Sequence, residues 1–216
     1  RETEPKPPDP GMPEPQWIKP GWVALVEVLR RIEEHKYHWP VGRTTFQKIA
    51  YVATREGLPT GLTYHRGSYG PFSAEVKGLT TRLVNNGIVR ERRLGRMYEV
   101  ATGPTFADAR TAYAPDLTAW DQTLNKVTSL FVRTNTDEAE LIATVLFAAG
   151  ELRDRHRATP SEGDVLDEVM EWKQRRRPPL KKEKIASTIR NLAALGWLDV
   201  KPTEDLPLPQ EELLDV

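Results

Sequence analysis

The chain of 216 residues contains no cysteine, so it can form neither a disulfide framework nor a thiolate metal site. It also lacks any apolar run of about eighteen residues, the length that a membrane-spanning helix needs. No segment near its start combines a charged region, an apolar region and a small-residue cleavage site. These absences predict a cytoplasmic protein without a membrane segment.

Motifs that would carry catalysis are missing as well. Four histidines are present, and none belongs to an HExxH sequence or accompanies a nucleophile elbow. His35 and His38 stand three residues apart on a predicted helix end, where we interpret them as surface residues. The 14 glycines are scattered as caps and turns and form no phosphate-binding loop. The sequence therefore predicts a protein that is not an enzyme, with no catalytic residue, metal or cofactor.

Proline is concentrated in the first 20 residues, which contain seven of the 18 prolines. This density disfavours helix and favours extended polyproline II segments. We interpret residues 1–20 as a linker between domains. Because the chain begins with Arg1, we also expect it to be a fragment of a longer polypeptide.

The pattern changes to helical after the linker. Apolar residues at helical spacing from Gly21 predict a helix that ends before Pro40. Thr44 and Gln47 have the spacing of a capping box, so a second helix should begin there and end at Gly57.

Three further elements complete a predicted first lobe. They are a structured loop over 58–72 with a short strand at 62–65, a helix from an N-cap at Ser73 to Gly87, and hairpin strands at 88–92 and 97–100. Helix, loop, helix and hairpin is the element order of a winged helix-turn-helix. Residues 21–102 are therefore predicted to form an N-terminal winged-helix-like lobe.

The second half repeats this pattern loosely. Its predicted elements are a helix through 117–131, a helix capped by Thr136, a helix opened by Ser161 with Asp164, a helix over 185–195, and an apolar strand at 197–200 after Gly196. LVNNGIV at 83–89 and LAALGWL at 192–198 both end a helix at glycine. We therefore predict a second winged-helix-like lobe over 103–216, in a mainly α fold with small β-hairpins.

The net charge of zero conceals a strong alternation along the chain. Residues 40–102 hold 10 bases and 4 acids, residues 103–172 hold 6 and 13, and residues 173–201 hold 9 and 2. Such asymmetry favours charged partners.

An acidic helix face is the first candidate binding surface. Asp164, Asp167, Glu168 and Glu171 recur every three or four residues, so they share one face apart from the apolar stripe. Crowded like charges destabilise a helix by a few tenths of a kcal/mol, roughly, per pair, which favours a binding role such as imitation of phosphates. The alternative is a solvated surface with acids placed favourably near a helix N-terminus.

The glycine-rich loop is the second candidate surface. Tyr64, Arg66, Tyr69 and Phe72 combine aromatic rings with a guanidinium group, a composition typical of protein hot spots and of single-strand stacking platforms. A core-filling role for Tyr69 and Phe72 is the alternative.

Arginines on the second predicted hairpin form a third candidate. Arg90, Arg92, Arg93 and Arg96 lie where the wing of a DNA-binding winged helix contacts phosphates. Alternatively, they protect an exposed strand edge.

Residues 44–89, TTFQKIAYVATREGLPTGLTYHRGSYGPFSAEVKGLTTRLVNNGIV, resemble the opening of the C-terminal domain of DarG antitoxins. The most specific block is LTYHRGSYGPF at 62–72, and residues 137–200 match that domain more loosely. The shorter combination of KIAYVA and YGPF is also similar to the Panacea antitoxin domain.

The resemblance implies a function in a toxin-antitoxin system. In that family the DarT toxin attaches ADP-ribose from NAD to thymine in single-stranded DNA. A macrodomain at the DarG N-terminus removes the mark, and the C-terminal domain binds the toxin by imitating its DNA substrate. This chain contains no macrodomain, so the resemblance implies toxin binding without hydrolysis and a macrodomain joined through the linker.

The sequence supports two hypotheses. The first is an antitoxin domain that neutralises a DarT-type toxin through the loop and the acidic face. The second is a winged-helix DNA-binding regulator that uses the hairpin arginines, the only case in which nucleic acid is a partner.

Overall fold

The computed structural model describes residues 17–207 and shows a mainly helical chain with two antiparallel hairpins. The helices are α1 (Pro20–Glu33), α2 (Arg43–Arg55), α3 (Glu75–Asn85), α4 (Phe106–Ala112), α5 (Ala114–Ala119), α6 (Asp121–Phe131), α7 (Thr136–His156), α8 (Glu162–Trp172) and α9 (Lys182–Ala194). The strands are β1 (His65–Gly67), β2 (Gly70–Phe72), β3 (Val89–Leu94) and β4 (Met97–Thr102). The predicted fold class, mainly α with small β-hairpins, is confirmed. Most of the predicted linker lies outside the described residues.

The helix caps of the first half differ from those predicted. Gly42 is the N-cap of α2 and makes no side-chain cap bond, so the capping box of Thr44 and Gln47 is wrong. Gln47 donates instead to the Ser73 carbonyl oxygen at 3.0 Å, which ties α2 to the loop before α3. Ser73 is not an N-cap either, because α3 begins one residue later, after Ala74.

The loop and hairpin predictions have mixed outcomes. The expected strand at 62–65 is wrong, since the loop forms a short hairpin from β1 and β2. The hairpin predicted after Gly87 is confirmed as β3 and β4, paired from Val89 opposite Thr102 to Leu94 opposite Met97.

Three predictions for the second half of the chain are wrong. The helix expected through 117–131 is interrupted at Trp120, and the two resulting helices α5 and α6 both contact α1, with α6 also packed on α2. Asn135, and not Thr136, is the N-cap of α7. No strand forms at 197–200, where Trp197 and Leu198 are both buried. The capping box of Ser161 and Asp164 is confirmed.

Helix α1 lies at the centre of the core. Its residues 21–29 are all buried, and it contacts α2, α4, α5, α6 and β4. Gly21 is required there, because a Cβ atom would lie 2.4 Å from the Pro59 carbonyl oxygen. Helix α2 packs against both α6 and α7, so one hydrophobic cluster includes residues from both predicted lobes. The division into lobes at residue 102 stays a prediction.

Among residues 17–207, no helix is both long and apolar enough to cross a membrane.

Candidate functional site

The β1–β2 hairpin lies directly on the long helix α7. Its register pairs His65 with Phe72 and Gly67 with Gly70, which places Ser68 and Tyr69 in the turn. Gly70 has a φ of +87°, and a Cβ atom there would lie 2.7 Å from the Thr144 hydroxyl oxygen of α7. Glycine is therefore needed at this position both for backbone conformation and for close packing.

Three side chains fix the backbone of this hairpin. The Lys48 ammonium group donates to the Pro71 carbonyl oxygen at 2.7 Å, and the Lys173 ammonium group donates to the Ser68 carbonyl oxygen at 2.8 Å. The Trp172 indole N–H donates to the Gly67 carbonyl oxygen at 3.2 Å. These donors come from α2 and from the C-terminal end of α8, so the hairpin is attached on two sides.

The two lysines are buried, as is the carboxylate that accompanies them. Lys48 is 1% exposed, and Lys173 lies 2.8 Å from Glu140 in a buried ion pair. A second cation, Arg176, approaches Glu140 at 3.6 Å. Burial lowers the pKa of Lys48 to about 8, against the attraction of Glu140. Removing these charges from water costs free energy. The buried charges nevertheless fix the backbone of one short hairpin.

Two aromatic rings of the β1–β2 hairpin are exposed to solvent. Tyr69 is 69% exposed at the turn and Phe72 is 42% exposed, with its ring edge-on to His65 at 5.5 Å. The core-filling alternative for Tyr69 and Phe72 is therefore wrong.

Tyr64 has a different position from the other loop aromatics. Its ring contacts Tyr51 at 5.2 Å, and Tyr51 in turn contacts Phe147 at 5.6 Å. Its hydroxyl oxygen is buried without a hydrogen-bond partner among the described residues, and burial raises the pKa of Tyr64. Tyr64 thus supports the loop from the core side.

Arg66 joins the loop to the acidic face of α8. Its guanidinium group pairs with Glu168 and, at 2.7 Å, with Glu151, and it lies 4.9 Å from the Trp172 ring. Arg155 also pairs with Glu168, at 3.2 Å. Burial alone would raise the pKa of Glu168, but hydrogen bonds from Arg155 and Arg66 hold it below its usual range. The two predicted surfaces are therefore neighbours.

The four acids of α8 divide into two pairs. Asp164 accepts bonds from the Ser161 amide and hydroxyl groups, which lower its pKa, and Glu168 is neutralised by arginines. Asp167 and Glu171 are exposed, and neither pairs with a base within residues 17–207. Within the described residues, Asp167 and Glu171 thus make no side-chain bond, whereas Asp164 is exposed but bonded to Ser161 and Glu168 is neutralised.

The four predicted DNA-contacting arginines all lie exposed on the β3–β4 hairpin. Arg92 pairs with Glu99 on the neighbouring strand at 2.8 Å, and Arg93 donates to the Gly95 carbonyl oxygen at 3.1 Å. Within the described part of the chain, no carboxylate lies within 4 Å of Arg90, Arg93 or Arg96. Three of the four guanidinium groups are thus available to an anion.

Sequence reasoning missed the buried charged cluster under the hairpin, namely Lys48, Glu140 and Lys173. One signal was present: Glu140 and Thr144 interrupt an otherwise apolar face of α7, and both are buried. Across residues 17–207, no three acidic or histidine side chains converge to form a metal site.

No model of a known protein family matches the chain. Over 117 residues the chain is 29% identical to the uncharacterized protein YwgA of Bacillus subtilis (strain 168). The match covers 51% of this chain and 66% of YwgA, so the chain spans just under two thirds of the length of that relative.

Proposed function

We propose that this chain is a non-catalytic antitoxin domain that binds and neutralises a DarT-type ADP-ribosyltransferase in the cytoplasm. The observation that carries the proposal is Tyr69, exposed at the tip of a hairpin whose backbone is fixed by Lys48, Trp172 and Lys173. The sequence of this hairpin is the block that most resembles the DarG C-terminal domain.

A fixed hairpin is suited to binding because a flexible loop would lose conformational entropy on association, and this loss would weaken the affinity. Exposed tyrosine is among the residues that dominate interface energies, particularly where a rigid backbone presents it. Tyr69 and Phe72 are the anchors in this proposal, and Asp167 and Glu171 supply negative charge on α8, which Arg66 and Trp172 join to the hairpin. We name this set the anchor surface.

The charges of the anchor surface limit how far it imitates DNA. A toxin that grips DNA presents a positive groove, so exposed carboxylates raise the association rate with it. Two of the four acids on α8 are occupied by Ser161, Arg66 and Arg155. Binding therefore depends more on the aromatic anchors and on shape than on a line of phosphate-like charges.

Toxin neutralisation is the direct test. With NAD and a thymine-containing single strand, one equivalent of the chain should abolish DNA modification by a DarT-type toxin. Tyr69→Ala should weaken toxin binding by about 30-fold or more, the effect of losing a hot-spot residue. Asp167→Lys and Glu171→Lys should slow association, whereas Asp108→Lys, at an exposed acid of α4, should leave it unchanged.

Two failures of this experiment have different meanings. Modification that persists at excess antitoxin would exclude the function. Wild-type toxin affinity in the Tyr69 variant, together with wild-type association rates in the Asp167 and Glu171 variants, would exclude the anchor surface and leave the antitoxin function standing.

A further inference from the structure

A second group of exposed aromatic rings lies beside the β3–β4 hairpin. Tyr37 and Trp39, in the connection between α1 and α2, are 68% and 57% exposed, and Tyr98 on β4 is 41% exposed. They include three of the seven large apolar side chains that are exposed within residues 17–207. None of them belongs to the anchor surface.

The connection between α1 and α2 is tied to β4 at both ends. At its start, the Glu33 carboxylate accepts bonds from the Thr102 amide at 2.8 Å and from its hydroxyl at 2.6 Å. At its end, the Val41 carbonyl oxygen accepts a bond from the Val100 amide at 2.7 Å. The rings of the connection are therefore held alongside the arginine-bearing hairpin.

Cations accompany these rings. The Arg43 guanidinium group lies 4.2 Å from the Tyr98 ring, and the Lys36 ammonium group lies 5.1 Å from the Tyr37 ring. Within the described residues, no carboxylate pairs with Lys36 or with the exposed hairpin residues Arg90, Arg93 and Arg96.

The acids in these segments do not offset that charge. Of the four carboxylates in residues 33–43 and 89–102, Glu33 is bonded by Thr102, and the other three are each held by an arginine: Glu34 by Arg30, Glu91 by Arg43 and Glu99 by Arg92. The surface thus combines exposed rings with unneutralised positive charge.

We propose that this surface binds single-stranded nucleic acid, with bases stacked on Tyr37, Trp39 and Tyr98 and phosphates on Lys36, Arg93 and Arg96. Aromatic rings beside a positive track are the combination that binds unpaired strands. A duplex keeps its bases stacked on each other, so it gains only the phosphate contacts. This site is separate from the anchor surface and does not depend on toxin binding.

The test uses the whole chain and fluorescein-labelled oligonucleotides of about 15 nucleotides, a length that spans a typical single-strand site. Fluorescence anisotropy at about 50 mM salt should show binding of oligo-dT or oligo-rU that is tighter than binding of a duplex of equal length. The DNA and RNA arms identify the preferred strand. Trp39→Ala should weaken binding by about 5- to 100-fold, the loss expected for one base stack, and Trp39→Phe should restore most of it.

Charge and aromatic controls separate the two kinds of contact. Arg93→Gln with Arg96→Gln should reduce the slope of log K against log salt by about 1.4, since each phosphate contact on a single strand contributes about 0.7. Trp17→Ala, at an exposed aromatic ring outside both surfaces, should bind the strand like the wild type. The variants should melt at the wild-type temperature, because their side chains are exposed.

Three results would overturn the proposal. The first is the absence of binding to both strands at low salt. The second is a folded double variant, Tyr37→Ala with Trp39→Ala, that binds like the wild type. The third is displacement of the strand by polyglutamate as effectively as by unlabelled oligo-dT, which would indicate an acidic protein partner.

Discussion

Replacing Glu140 with alanine is expected to lower the free energy of unfolding by about 3–5 kcal/mol, because it leaves buried cations without a carboxylate. Glu140 bonds Lys173 at 2.8 Å, and its charge also favours the charged form of Lys48. Urea denaturation at pH 7, followed by circular dichroism, measures the change. The control is Asp137→Ala, which removes an exposed partner of Arg176 and should cost less than about 1 kcal/mol.

The pH dependence provides a second measure of the same cluster. Burial lowers the pKa of Lys48 from its ordinary 10.5 to about 8. Between these values the unfolded chain binds more protons than the folded chain, so the contribution of Lys48 makes stability rise with pH over that window. Without Glu140 the Lys48 pKa should fall further and the rise should begin at lower pH. A loss below about 1 kcal/mol in Glu140→Ala, with an unchanged pH profile, would show that the cluster does not stabilise the hairpin.

Glycines at the C-terminal ends of helices allowed those ends to be predicted. They did not predict the structure of the segment that follows each helix. Gly87 and Gly196 both have positive φ, at +68° and +75°, as expected where a helix ends. After Gly87 the chain forms β3, because β4 returns to pair with it. Between Gly196 and residue 207, Lys201 alone forms a bridge, with Ser161, so no strand develops in this described segment. The difference lies in a distant pairing partner, which local sequence does not contain.

Caps were predicted correctly only where the capping residue acts on its own helix. Ser161 and Asp164 do so, and that box is confirmed. Gln47 has the spacing of a box with Thr44, but its amide group is used by the backbone of Ser73, 26 residues away. Competition from tertiary contacts therefore decided which caps formed.

At the candidate site, too, features set by distant contacts could not be predicted from the local sequence. The composition of the loop left an exposed and a core-filling role open for Tyr69 and Phe72, and the structure shows both rings exposed. The acidic face of α8 was overestimated, because Arg66 and Arg155 reach Glu168 from elsewhere in the fold. The lysines that fix the hairpin were missed, since the sequence alone does not show that an ammonium group on one helix meets the carbonyl group of a distant turn.

The other prediction with a large expected effect on stability concerns a second buried acid, Glu27. Glu27 is 1% exposed on α1 and receives bonds from Arg30 at 2.8 and 2.9 Å, from Arg31 at 3.0 Å and from Arg110 at 3.0 Å. It therefore ties α1 to α4, and through Arg31 also to Asp121 of α6. Glu27→Ala leaves this arginine cluster without its central anion, and we expect a loss of about 3–5 kcal/mol in urea denaturation at pH 7.

Acid titration tests this assignment independently of packing. Burial alone would raise the pKa of Glu27, but hydrogen bonds from Arg30, Arg31 and Arg110 outweigh it and lower the pKa from 4.5 to about 2. The carboxylate thus contributes its full stability above pH 4.5 and loses about 3 kcal/mol as the pH falls toward 2. Glu27→Gln should remove that part of the acid profile, whereas Glu34→Gln, at an exposed partner of Arg30, should retain it. If Glu27→Gln unfolds with the wild-type acid profile, the arginine cluster is stabilised by other groups.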